Sequence, residues 1–164
     1  MKLITKAVMA GLLCISTSVM ADEETSLDFT VEAHIPDHRY YVKYSNPAFG
    51  ATPQKMIWDQ NLEVLNNLST DLQAKNSKGK ISAYLLQAAE LEHDSIPANN
   101  IPLTVSIAGQ TLQAGPTNSV EIVDQASAAN ETTIPLVVSP TGTPAYEAGD
   151  YQADVTLMFD HEVV

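Results

Sequence analysis

The chain has 164 residues, with 20 acidic against 8 basic side chains and a formal net charge of −12 at pH 7. A surface of that sign repels phosphate backbones and anionic lipid, which argues against nucleic-acid binding and electrostatic adhesion to membranes. With one cysteine in the whole chain, a disulfide framework is excluded, and a fold must hold by its apolar core and its backbone hydrogen bonds.

Residues 1–21 read as a secretory leader: Lys2 and Lys6, an apolar run from Ala7 to Ile15, then Val19-Met20-Ala21 with small residues at the cleavage positions. Cleavage between Ala21 and Asp22 is expected. The apolar run stops at Ser16-Thr17-Ser18, short of the ~20 residues a membrane span needs, so no membrane insertion of the mature chain is expected. Cys14 is preceded by Leu13, too large for the small residue that precedes a lipidated cysteine, and it leaves with the leader. Taking Lys2 and Lys6 from the 8 basic residues leaves 6 against 20 acidic, a mature net charge of −14 on 143 residues, one domain's worth of chain.

The first mature element is a strand with one apolar face. Leu27, Phe29, Val31, Ala33 and Ile35 alternate with Asp28, Thr30, Glu32 and His34, and Pro36 ends the run. It either completes its own domain as an ordinary first strand or pairs with a neighbour's sheet. Tyr40–Tyr44 is a short aromatic and β-branched strand, followed by turn residues Asn46-Pro47 and Gly50. From Asp59 to Leu72 both helical and alternating patterns fit, and the second half favours strand. After the polar turn Asn76-Ser77-Lys78-Gly79, Ile81–Leu86 predicts a strand that Ala88–Glu92 would prolong as helix.

Leu103, Val105 and Ile107 alternate into Ala108-Gly109 and back out through Gln110–Gln113, the clearest hairpin in the chain. Ser119–Val123 is a further strand, Asp124–Glu131 a polar connection, and Ile134–Ser139 an apolar strand bounded by the loop Pro140–Pro144. The last element, Tyr151–Phe159, alternates Tyr151, Ala153, Val155, Leu157 and Phe159 with polar residues and Met158. Short strands separated by Gly, Pro and Asn turns predict an all-β, immunoglobulin-like antiparallel β-sandwich. Trp58, the single tryptophan, reads as a packing residue.

Catalytic patterns are lacking. His34, His38, His93 and His161 are scattered, and Pro36 denies His34 and His38 the helix that would align them for a metal. No Gly-x-Ser-x-Gly, His-Glu-x-x-His or phosphate-cradling loop occurs, so no enzyme, cofactor or metal site is expected. Pairs such as Glu90 with Glu92 and Asp160 with Glu162 read as solvated charges. Asn67-Leu68-Ser69 and Asn130-Glu131-Thr132 match the glycosylation sequon at a frequency chance explains.

Three blocks in order, Asp28–Ala33, the hairpin Ile101–Leu112, and Ala148-Gly149-Asp150-Tyr151 through Phe159, resemble the major pilin subunits of alpha-clade fimbriae, the alternate chaperone–usher or colonisation-factor type. Departures are the acidic stretch Asp22–Ser26, the tyrosine-rich region Arg39–Phe49 and the extension His161–Val164. The resemblance implies a sandwich that is incomplete and is completed by a donor strand from a neighbouring subunit. Residues 22–36 would be the N-terminal extension and residues 37–164 the pilin domain. Leu27, Phe29, Val31, Ala33 and Ile35 would be the donor side chains, with Tyr151, Val155, Leu157 and Phe159 a groove wall bound by a chaperone. Identical subunits head to tail, a periplasmic chaperone, an outer-membrane usher and a tip adhesin would be the partners, and a surface fimbrium reached through the periplasm the location. The rival is a monomeric secreted module binding carbohydrate or protein through Tyr40, Tyr41 and Tyr44.

Overall fold

The computed structural model describes residues 30–35, 39–142 and 146–161. The expected cleavage pair Ala21/Asp22 and the donor positions Leu27 and Phe29 lie outside the described residues. The chain divides into two units, residues 1–34 and 35–164. In the first unit Thr30–His34 are exposed and carry neither helix nor strand.

The second unit is built from β1 (Tyr40–Tyr44), β2 (Trp58–Asp59), β3 (Val64–Leu65), β4 (Leu68–Asn76), β5 (Ile81–Leu85), β6 (Glu90–His93), β7 (Ile101–Ile107), β8 (Gln110–Thr111), β9 (Val120–Val123), the single-turn helix α1 (Gln125–Ala128), β10 (Thr132–Pro140), β11 (Tyr151–Gln152) and β12 (Leu157–His161). One sheet has the order β1-β4-β10-β7-β6-β11, with β8 paired to β7; the other has the order β12-β5-β9, and β2 and β3 form a separate ribbon. All these ladders are antiparallel. The fold is the immunoglobulin-like sandwich that the strand pattern predicts.

Period-two alternation places the core. Leu72 and Ala74 of β4, Ile81, Ala83 and Leu85 of β5, Val105 and Ile107 of β7, and Ile134, Leu136 and Val138 of β10 are buried, while Asp71, Gln73 and Lys75 of β4 take the other face. β4 crosses to β5, and so to the other sheet, through a turn organised by buried Asn76. Its Nδ2 donates to the Lys80 carbonyl at 2.9 Å and its Oδ1 accepts from Lys78 N–H at 3.2 Å. A buried amide left unpaired there would carry a penalty, so both bonds fix the turn. At the β7–β8 hairpin, Ala108 and Gly109 have φ of 51° and 80°, the left-handed pair that a two-residue reversal requires.

Two expectations are corrected. Ala88–Glu92 does not prolong a helix: Glu90–His93 is strand β6, paired with Pro102 and Ile101 of β7 and with β11, so tertiary pairing overrides local helix propensity. The C-terminal alternation is not one strand either. β11 pairs with β6 in the large sheet and β12 with β5 in the small one, and residues 153–156 cross between them. The polar connection after β9 also contains α1, whose N-cap Asp124 accepts from Ser127 N–H at 3.0 Å and from its hydroxyl at 2.8 Å. These bonds hold the Asp124 carboxyl below its ordinary value. Pro140, placed in the loop by its sequence, instead ends β10 opposite Leu103.

The corner at β6 and β11 is pinned by His93, whose side chain is 5 % exposed. Its Nδ1 accepts from the N–H groups of Ser95 and Ile96 at 3.0 and 3.2 Å, and Tyr151 packs edge-on at 4.9 Å between ring centroids. Gly149 lies against Nε2 so closely that an added Cβ would collide with the ring. We therefore expect Gly149→Ala to destabilise the fold by about 1–3 kcal/mol, the usual cost of overpacking. A fall in the urea midpoint at unchanged slope would register it.

Candidate functional site

β1 and β12 are the outer strands of the two sheets on the same side of the sandwich. Each has a ladder partner on one edge only among the described residues, β4 for β1 and β5 for β12. Their inward side chains lack full cover. Tyr40, Val42 and Tyr44 of β1, and Leu157 and Phe159 of β12, pack against the core yet remain half-buried, where their partners opposite, Ala74 and Leu72 on β4 and Ala83 and Leu85 on β5, are fully buried. The sandwich is therefore open along this side, with apolar walls from both sheets and two rims of backbone N–H and C=O groups without described ladder partners.

The strand directions follow from the turn at residues 77–80. β1 starts beside it, Tyr40 opposite Asn76, and β12 ends beside it, His161 opposite Ile81, so the two rims run in opposite directions. At this turn end the Tyr40 and His161 rings stack, with centroids 4.0 Å apart and planes 19° from parallel. Burial, then the nearby Asp160 charge, raise the Tyr40 phenol above its ordinary value. At the far end Leu86 N–H donates to the Thr156 carbonyl at 3.0 Å, where the chain crosses into β12.

Of the four groove-wall residues expected from the sequence, the structure brings Leu157 and Phe159 together. Val155 lies in the crossing segment at 36 % exposure, and Tyr151 belongs to the other sheet, against His93. The opposite wall, missed by sequence reasoning, is Tyr40, Val42 and Tyr44; their two-residue spacing was the available signal. Tyr40, Tyr41 and Tyr44 do not form one binding face, since only Tyr41 points outward, its hydroxyl donating to Glu131. That hydrogen bond, first among several causes, raises the Tyr41 phenol. Val31 and Ile35, two of the expected donor side chains, are 78 % and 85 % exposed.

A second concavity, about 820 Å³, lies beside the β6–β11 pair and is lined by Glu90, Glu92, Asp94, Asp150 and Asp154 together with His93, with no lysine or arginine among its walls. Among the described residues no group of three or more His, Cys, Asp or Glu side chains could hold a metal ion, and no helix is long and apolar enough to cross a membrane.

Residues 25–160 match the model of the CS1 type fimbrial major subunit family. Among solved structures, the CooA pilin subunit from enterotoxigenic Escherichia coli superposes with a TM-score of 0.53 at 19 % identity, covering 63 % of this chain and 74 % of that one. A comparison with curated proteins finds no match.

The stacked turn end makes a pH prediction. The stability that Tyr40 contributes through its raised phenol is fully present below the tyrosine value of 10.0 and is lost as pH rises through the raised value. Tyr40→Phe should flatten the alkaline limb of a stability curve taken by urea unfolding from about pH 9 upward to about pH 12, the range that spans the ordinary tyrosine value and the raised one. A residual slope from Tyr41 should remain; an unchanged limb would remove Tyr40 from that role.

Proposed function

The chain belongs to the CS1 type fimbrial major subunit family, and from that premise we propose that its open sandwich edge receives the N-terminal segment of the next copy, so that subunits join head to tail by strand insertion. A pilin of this family is a structural protein of the cell-surface fimbrium and not an enzyme. The observation that carries the finer reading is the edge shared by β1 and β12, where half-buried Val42, Leu157 and Phe159 lie between two strands that lack a second ladder partner among the described residues.

The segment suited to that edge is the alternating run Leu27, Phe29, Val31, Ala33 and Ile35. Main-chain hydrogen bonds to both rims supply orientation and the alternate side chains supply register, the mode known as strand addition, for which pilins are a standard example. A slip of one residue would turn Asp28, Thr30, Glu32 and His34 inward. Burying the four larger side chains contributes about 1.5–3 kcal/mol each before ordering costs. The sequence separation suggests a direction of entry. The segment ends at Ile35, five residues before β1 begins at Tyr40 at the turn end. Only when Ile35 lies at the acceptor's far end is each turn end left to a single neighbour, so the segment runs antiparallel to β12. An interface of this heterologous kind does not close and produces a filament.

An exposed edge of this kind is an aggregation hazard before assembly, which supports transient cover by a periplasmic chaperone that uses the same Leu157 and Phe159 wall. Delivery through an outer-membrane usher to a fibre carrying a tip adhesin completes the proposed route. The rival reading, a monomeric binding module, loses its surface because Tyr40 and Tyr44 face the core.

Deleting residues 22–35 should abolish polymerisation and leave a folded, chaperone-bound body. A synthetic peptide of residues 22–35 should raise the melting temperature of that body, and the same peptide with Val31→Asp should not. Fibres seen by electron microscopy from the deleted chain would overturn the assignment.

A further inference from the structure

Resting on the strand-insertion reading, we propose that consecutive subunits make a second, ionic contact, between the cationic edge around the turn end of one copy and the acid-lined cleft at the far end of the copy it enters. The charges are distributed unevenly. Beyond the leader the chain has six basic residues, and five of them, Arg39, Lys43, Lys75, Lys78 and Lys80, lie on or beside β1, β4 and the turn between β4 and β5. Alternation puts Arg39, Lys43 and Lys75 on the outer face of the large sheet, since Tyr40, Val42, Tyr44, Ala74 and Asn76 take the inner one.

Acids also stand at this end, one of them paired with a cation of the same end, and in the cleft Glu90 and Asp94 likewise accept from Asn100 and Ser95. Glu121 pairs with Lys80 at 3.8 Å, Glu131 accepts from Tyr41, and Asp160 accepts from Ser119 at 3.0 Å. At the opposite end the β6–β11 cleft gathers five carboxylates and no lysine or arginine. Its lining ends at Ala153 and Asp154, two residues before Thr156, whose carbonyl accepts from Leu86 N–H, and three before β12 begins, so the Asp154 side of the cleft is the side next to the far end of β12.

Insertion antiparallel to β12 brings the two ends together. With Ile35 at the acceptor's far end, the donor's β1 begins five residues later in the sequence, at Tyr40, so the donor's cationic edge falls within reach of the acceptor's cleft. Insertion the other way would set cationic edge against cationic edge. Charge complementarity and continuity with the inserted strand therefore select a second copy of this chain as the occupant. A chain of −14 that polymerises must bring like-charged bodies close, and this is the arrangement in which unlike charges meet. The inserted strand supplies the continuity of the fibre, and the ionic contact acts on how one body is set against the next.

The test uses fibres assembled from the full mature chain. Lys75→Glu with Lys78→Glu should still assemble, but the fibres should lose regular helical pitch by electron microscopy, with the sodium chloride midpoint for loss of pitch lowered roughly twofold or more. Adding Asp150→Lys with Asp154→Lys should restore both. Pitch and salt response unchanged by the reversal, or a swap that restores neither, would overturn the contact. If the reversed chain does not fold, Lys75→Gln with Lys78→Gln is read in the same salt series against the same two outcomes. Failure of the strand-insertion reading is separable, because fibres would then survive removal of residues 22–35.

Discussion

The structure depends on two edge strands that each have, among the described residues, a partner on one side only. β1 and β12 carry apolar side chains inward and backbone hydrogen-bonding groups outward, and neither set is fully covered. An isolated sandwich normally blunts such edges with charges, proline or a bulge. Here the inward residues are Tyr40, Val42, Tyr44, Leu157 and Phe159, so the edge is left apolar where a soluble monomer would make it polar. No described residue of the same chain pairs with the free side of either strand.

The remainder of the fold serves to hold the two rims in place. β4 and β5 are the second strands of their sheets and bury Leu72, Ala74, Ile81, Ala83 and Leu85 between them. Asn76 fixes the turn that joins them, which sets the spacing of β1 above β12 at one end. At the other end the chain must pass from β11 in one sheet to β12 in the other. His93 anchors that crossing through the Ser95 and Ile96 amides and through its contact with Tyr151, and Gly149 is the residue small enough to lie against the ring. Buried polar groups thus sit at the two places where the chain changes sheet, Asn76 at the β4–β5 turn and His93 beside β11 before the crossing to β12, and the apolar core lies between the sheets.

The acidity of the chain and the polarity of its charge are separate matters. Net charge was a property of composition, and it bore on solubility and on classes of partner. The separation of five cations on or beside β1, β4 and the β4–β5 turn from five carboxylates at the β6–β11 cleft depends on which strands pair, since Arg39 and Lys75 are far apart in sequence and become neighbours only through the β1–β4 ladder.

Much of the chemistry was legible from the residues alone. Alternation in Tyr40–Tyr44, Ile81–Leu85, Leu103–Ile107 and Ile134–Ser139 identified strands and their buried faces, because a side-chain period of two is a local property of extended chain. The sandwich class, the lack of catalytic motifs and the family resemblance followed from the same local patterns. What the local pattern could not decide was pairing. Glu90–His93 became a strand because Ile101 and Pro102 lie beside it, and Tyr151–Phe159 was divided because its two halves meet different sheets. Tyr40 and Tyr44, polar-tipped and consistent with a binding surface, became a wall of the open edge once β4 fixed their face. Period two says which residues share a side of a strand; which strand lies next to it, and which edge is left without a neighbour, is set by long-range hydrogen bonding and packing that only the folded chain brings together.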